Sequence, residues 1–352
     1  VNFKKILPLV FAVTSFSQIG FGQSQIEVKS TDEWNRVKGD TTFIIMDSVG
    51  EASNDVYKKI FTDNWKISKI QFIGTDEFQH YLSPTSCYLS LVYPITDTKL
   101  DLSSSKYDPD LPDAANQLAM SAEESFNLMA LKLWTCSDKY FKKPDKFLMT
   151  YVKEIAAIKM YADVAGVSMA VKQNKNNVSK DAAKAYMHTL QDPGGSISGP
   201  YSEGAGAYIF NWGPGIVKNY VQLFVHMLNN GQTGGLIINN DSAKAAKGDT
   251  LFVPDYMKYD PTSTAKYKER KLDDLFKGFE GNYTVLSNDD LNDKIMHAKK
   301  DMYYLQYVRN TTPTVYVVNG FTGQIVYMKK LSPDAELVAD DITKVYKAIT
   351  KK

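Results

Sequence analysis

Two rhythms of apolar and polar positions alternate along this chain, and together they predict an α/β protein in two related halves. Thr42-Phe43-Ile44-Ile45-Met46 is a short apolar run and reads as a strand. Asn54 to Phe61 carries helical spacing through Val56, Ile60 and Phe61. Ile67 to Ile73 reads as a second strand and Asp76 to Leu82 as a short helix. Strands at Tyr88 to Tyr93 and Asn127 to Thr135 follow, separated by a polar loop with Pro109 and Pro112. The first half is therefore β-α-β-α-β-β.

From Lys146 to Asn230 the rhythm turns helical. The spacing predicts helices over Phe147 to Lys172 and from an N-cap at Ser179 to Leu190, stopped by Asp192-Pro193-Gly194-Gly195. A third is expected from Pro214, a favoured first-turn residue, to Asn229. Between them lies a Gly-rich loop, Gly194 to Gly215, carrying Tyr201, Tyr208, Phe210 and Trp212.

The remainder repeats the opening pattern. Lys38-Gly39-Asp40-Thr41 precedes the first strand, and Lys247-Gly248-Asp249-Thr250 precedes Leu251-Phe252-Val253. Phe61-Thr62-Asp63-Asn64-Trp65 is matched by Phe279-Glu280-Gly281-Asn282-Tyr283, and Asp76-Glu77-Phe78 by Asp289-Asp290-Leu291. Tyr88-Leu89 answers to Tyr304-Leu305, and Leu128 to Thr135 to a hairpin from Val315 to Met328, turned at Asn319-Gly320. Matches in the same order at similar spacing predict an internal duplication. A last helix is expected from Asp334 to Ile349. The organisation expected is 1–22 signal peptide, 23–143 first α/β half, 144–235 helical insertion and 236–352 second half, with α+β as the alternative class. The second half also resembles the end of a thioredoxin-like fold, with Thr312-Pro313-Thr314 before a hairpin and a closing helix. That resemblance covers about forty residues. It implies no activity, because the redox Cys-x-x-Cys is absent.

The N-terminus changes the picture most. Lys4 and Lys5 precede an apolar stretch, Ile6 to Phe16, that ends in small residues at Gly20 and Gly22. This is the pattern of a secretory signal cleaved near Gly22-Gln23, and its core is too short to span a bilayer. The chain is expected to be exported, to the periplasm or beyond the cell. Loss of Lys4 and Lys5 takes the net charge from +1 to −1, which leaves no electrostatic attraction to nucleic acid. No later segment has the ~20 apolar residues of a membrane span.

Export also makes a disulfide chemically reasonable between Cys87 and Cys136. These begin and end two strands expected to pair antiparallel. Histidine is scarce: His80, His188, His226 and His297, three of them beside methionine. Imidazole with thioether suits copper, but adjacent residues on a helix point apart, so no metal site is expected. The clusters Asp108-Asp110-Asp113, Asp289-Asp290-Asp293 and Asp340-Asp341 lack calcium-loop spacing. Gly204-Ala205-Gly206 is no dinucleotide fingerprint, and there is no Gly-x-Ser-x-Gly elbow. No cofactor is expected. The aromatics Tyr201, Tyr208, Phe210 and Trp212 have two readings: packing inside the joint between insertion and sheet, or a binding surface for a protein or glycan. The functional expectation is an exported, non-catalytic binding or envelope-associated structural protein. Its alternative is a secreted hydrolase whose acidic catalytic residues the sequence does not mark.

Overall fold

The computed structural model describes residues 25–46, 51–74, 77–92, 130–142, 151–160, 210–261, 267–309, 312–332 and 335–351. The expected helix from Ser179 to Leu190, the Asp108 cluster, His188, Tyr201 and Tyr208 lie outside them.

The first part of the chain runs β1 (Ile26–Val28), α1 (Thr31–Val37), β2 (Thr41–Met46), α2 (Glu51–Asn64), β3 (Lys69–Gly74), a 3-10 turn at Phe78–Tyr81, β4 (Cys87–Val92), β5 (Ala130–Cys136), α3 (Asp138–Phe141) and β6 (Val152–Lys159). Then come α4 (Pro214–Asn229), β7 (Gly234–Gly235), a 3-10 segment at Asn240–Ala246, β8 (Leu251–Pro254) and the short β9 (Tyr259–Pro261) and β10 (Tyr267–Glu269). The chain closes with α5 (Leu272–Leu275), β11 (Tyr283–Leu286), α6 (Asn288–Met296), β12 (Tyr303–Val308), β13 (Thr314–Asn319), β14 (Ile325–Lys330) and α7 (Ala339–Thr350).

Twelve of these strands build two mixed sheets, with β9 and β10 paired antiparallel apart from them, so the α/β class holds. Seven strands order as β3-β2-β4-β5-β6-β1-β7, and five as β11-β8-β12-β13-β14. Within each, two parallel pairings surround the first core strand: β2 with β3 and β4, β8 with β11 and β12. Two antiparallel pairings follow, β4-β5-β6 and β12-β13-β14. The correspondence reaches the register. Phe43, just after Lys38-Gly39-Asp40-Thr41, sits opposite Tyr88, and Phe252, at the same offset after Lys247-Gly248-Asp249-Thr250, sits opposite Tyr304. Both motifs follow a seven-residue helical segment with a side-chain cap: Ser30 Oγ accepts from Glu33 N–H, and Asn239 Oδ1 from Asp241 N–H.

Three expectations need correcting here. Within Phe147 to Lys172 the described residues form a strand, β6. Its Ile155-Ala156-Ala157-Ile158 run is buried throughout, and a continuous apolar run carries no period to separate strand from helix. β6 thus lies past the expected boundary at 143 yet belongs to the first sheet. Second, the described part of Leu128 to Thr135 is a single strand, β5, whose antiparallel partner is β6, whereas Val315 to Met328 holds both strands of its pair, β13 and β14. Third, the last helix starts at Ala339, where the Asp341 carboxylate accepts from Val338 N–H at 3.1 Å and fixes the first turn.

α4 is the element on which the two sheets meet. Ile216, Val217, Tyr220, Val221, Leu223, Phe224, Met227 and Leu228 are all buried, as befits a helix with neighbours on most sides. It packs on α2 of the first half and on α6 of the second. One apolar core runs through this joint, joining Ile44, Leu89 and Leu133 to Val253, Leu305 and Val317.

Candidate functional site

The aromatics of the Gly-rich loop are the first site residues the sequence nominated. Trp212 is fully buried, and Phe210 is half-buried with its ring stacked on Tyr256 at 5.3 Å. Trp212 is therefore joint packing and not surface. The following Gly213-Pro214-Gly215 lets α4 meet α6 at very short range. Asn292 on α6 fills the contact: its Oδ1 accepts from Ile216 N–H at 3.0 Å, satisfying a first-turn donor of α4. Asn288 Nδ2 donates to the Trp212 carbonyl at 3.0 Å. Beyond it, Tyr304 OH donates to Asn219 Oδ1 and Gln306 Nε2 donates to Tyr220 OH, tying α4 to the second sheet.

The two cysteines are not linked, and the register says why. Cys87 lies opposite Thr135, so Cys136, one residue on, projects from the other face of the sheet. Cys87 joins the main core, where Thr42 Oγ1 lies 3.0 Å from its sulfur. Burial pushes the Cys87 thiol up to about 12 and the Cys136 thiol up to about 11. Neither is a ready nucleophile. His80, His226 and His297 are exposed and separate, while Met227 beside His226 is buried. Among the described residues no three His, Cys, Asp or Glu side chains gather as metal ligands. Asp289 and Asp290 lie in the first turn of α6, behind the Ser287 cap, and Asp341 pairs with Lys329.

What the structure does bring together is a feature the sequence reading missed. On the face of the first sheet that carries Cys136, Phe43, Tyr88 and Trp134 form a ladder across β2, β4 and β5. Its rings stack at 5.6 and 4.5 Å. Trp134 Nε1 donates to Ser90 Oγ at 2.8 Å, and Tyr88 OH donates to the Tyr81 carbonyl at 2.9 Å. The ladder itself is buried. The next position across the sheet is Glu154 on β6, and from there the face is charged.

A β-bulge makes this possible. The β5-β6 register shifts between Leu133 and Trp134, so Ile155 is the extra residue and Glu154 comes opposite Trp134. Ile155 turns into the core, and its carbonyl accepts from Lys29 N–H at 2.8 Å. Bulges of this kind re-aim a side chain. The re-aimed Glu154 carboxylate meets Lys132 Nζ at 2.8 Å and Lys29 Nζ at 2.9 Å, with Glu27 a further 3.5 Å from Lys29. Burial alone would raise the Glu154 carboxyl, but the Lys132 ammonium and the hydrogen bonds from Lys132 and Lys29 hold it below its ordinary range. Burial pulls at Lys29 too, and its bonds to Glu154 and Glu27 overcome it and raise its pKa. Lys159, buried at the end of β6, goes the other way: burial lowers it, and the Glu27 carboxylate, the strongest of its charged neighbours, only partly offsets that. Only the Lys29 end is well exposed, with about half its side chain in solvent. The signal in the sequence was Lys132, Lys153-Glu154 and Lys159 inside otherwise apolar runs, which a helical reading of 147–172 dispersed.

Comparison with known proteins gives no relative: no family model matches the chain, and no curated protein or solved structure does. No helix of the described residues is long and apolar enough to cross a membrane. Chemically, the charged face can pin strands together and present a fixed pattern of alternating charge at its Lys29 rim. Each Asp or Glu with a resolved shift among the described residues, namely Asp40, Glu154, Asp241 and Asp340, is held below its ordinary value.

Proposed function

We propose that this is an exported, non-catalytic binding module of the cell envelope or its surroundings, built from a duplicated α/β unit and taking a protein or glycan partner. The observation that carries the reading is the state of the site's charges. Lys29, Lys132, Glu27 and Glu154 are fixed in mutual ion pairs at a sheet face, with the carboxylate stabilised as an anion. Such a pattern favours recognition over acid-base work. The shared strand order and the Phe43-Tyr88 and Phe252-Tyr304 register support the duplication. Cleavage after Gly22 is compatible with the fold, since it would spare the whole of β1 and the buried Gln25, whose side chain bonds to the Thr312 carbonyl. A panel of immobilised envelope polysaccharides and chromogenic glycosides and esters, offered to the mature protein, tests this. Saturable binding without product release is the expected result. Turnover lost in Glu154→Gln would replace the reading with a hydrolase.

A further inference from the structure

The two sheets differ at one edge. In the first, the outer side of β6 carries β1, antiparallel, with Ile26 opposite Ile158 and Val28 opposite Ala156. β14 holds the corresponding place in the second sheet, antiparallel to its inner neighbour, and among the described residues no strand follows it. An edge of that kind offers amides and carbonyls to any passing strand. At its centre, however, the backbone of Met328 is already taken. Met328 N–H donates to Asn240 Oδ1 at 2.9 Å, and the Met328 carbonyl accepts from Asn240 Nδ2 at 3.1 Å. A carboxamide bonded both ways to one residue reproduces the pair of bonds an antiparallel neighbour would make.

Asn240 is held to this task from several sides. It opens the 3-10 segment whose turn is capped by Asn239 and anchored by the buried Ala243 and Ala246. Asp241, the next residue, accepts from Lys351 Nζ at 2.8 Å, so the end of α7 latches the segment against the sheet. We propose that Asn240 is an edge guard: its carboxamide occupies the site on β14 that β1 occupies on β6, and so keeps β14 from pairing with β14 of a second copy of this chain. β14 is the strand at the edge of its sheet, whereas β1 is already held between β6 and β7, and two copies of β14 related by a two-fold axis would meet antiparallel, as β6 and β1 do.

Asn240→Ala removes both bonds, and Asn240→Asp keeps the acceptor for Met328 N–H while losing the donor. Sedimentation over a concentration series reads self-association, and hydrogen exchange reads the Met328 amide. Asn240→Ala is expected to raise the self-association constant about tenfold or more over the natural chain, as loss of two ordinary hydrogen bonds would allow. Asn240→Asp should rise less. The Met328 amide of Asn240→Ala should exchange fast when dilute and slow as copies associate. Unchanged self-association in both folded variants overturns the proposal. If Asn240→Ala fails to fold, unchanged association in Asn240→Asp overturns it alone.

Discussion

Gly215→Ala should destabilise the protein, although helix propensity alone says the reverse. Gly215 is the second residue of α4, where replacing glycine by alanine ordinarily gains up to about 1 kcal/mol. Here the added Cβ would lie 2.4 Å from the Asn292 carbonyl oxygen, 2.8 Å from Ile295 Cβ and 2.9 Å from Asn292 Cα. Two of these are backbone atoms of α6, so no side-chain rotation relieves the contact and the helices must part. Overpacking of this kind costs ~1–3 kcal/mol. Parting also strains the Asn292 bond to Ile216 N–H, a further loss of about 1 kcal/mol. Net destabilisation of about 2 kcal/mol is expected once the propensity gain is set against the sum. Gly39→Ala is the control: a Cβ there meets nothing within 4 Å and φ is not positive, so it should be neutral or stabilising by up to about 1 kcal/mol. Urea unfolding followed by tryptophan fluorescence and far-ultraviolet dichroism gives both values. Trp34, Trp65 and Trp134 report the first half and Trp212 the joint. Because one core crosses the joint, the two probes should give one coincident transition. A Gly215→Ala protein as stable as the natural one would refute the close packing of α4 on α6.

Two further outcomes follow from the charges and thiols. Intact-mass analysis under non-reducing conditions should find Cys87 and Cys136 unlinked, and iodoacetamide at pH 8 should modify neither until urea unfolds the chain. Because folding raises both thiols above their ordinary 9.0, their contribution is fully present below that value and is lost as pH rises beyond it, so the midpoint of unfolding should fall in alkali. Glu154→Gln should cost ~1–2 kcal/mol at pH 7, since it leaves Lys29 and Lys132 without their shared carboxylate in a half-shielded setting. Folding lowers the Glu154 pKa below 4.5, so this contribution is present above that value and disappears as pH falls through the folded pKa. A natural-minus-variant difference that stays constant down to pH 2 would contradict the ion-pair account.

Most of the framework was legible in the sequence because its elements have clear periods or stops. Pro214 and the Asn229-Asn230 end marked α4 to the residue, and Thr42 to Met46 and the Val315 to Met328 hairpin were found within a residue or two. The repeated Lys-Gly-Asp-Thr marked the first core strand of each sheet. What failed did so for local reasons. β1, with three residues, is too short to show alternation. α1 leaves no clear period even though Ser30 caps Glu33 N–H, because its seven residues bury only Trp34 and Val37. The disulfide was misjudged by a single residue of register, which in a sheet is the difference between one face and the other. The charged site depended on the bulge at Ile155, and no periodicity announces a bulge.

The claim on which the functional reading depends is export, and one measurement addresses it directly. Expression of the full chain with its native N-terminus in a Gram-negative host, followed by fractionation and N-terminal sequencing, gives location and processing together. Protein outside the cytoplasm, beginning at or next to Gln23 and so close enough to spare β1, is the expected result. A cytoplasmic protein retaining Phe3-Lys4-Lys5 would contradict it.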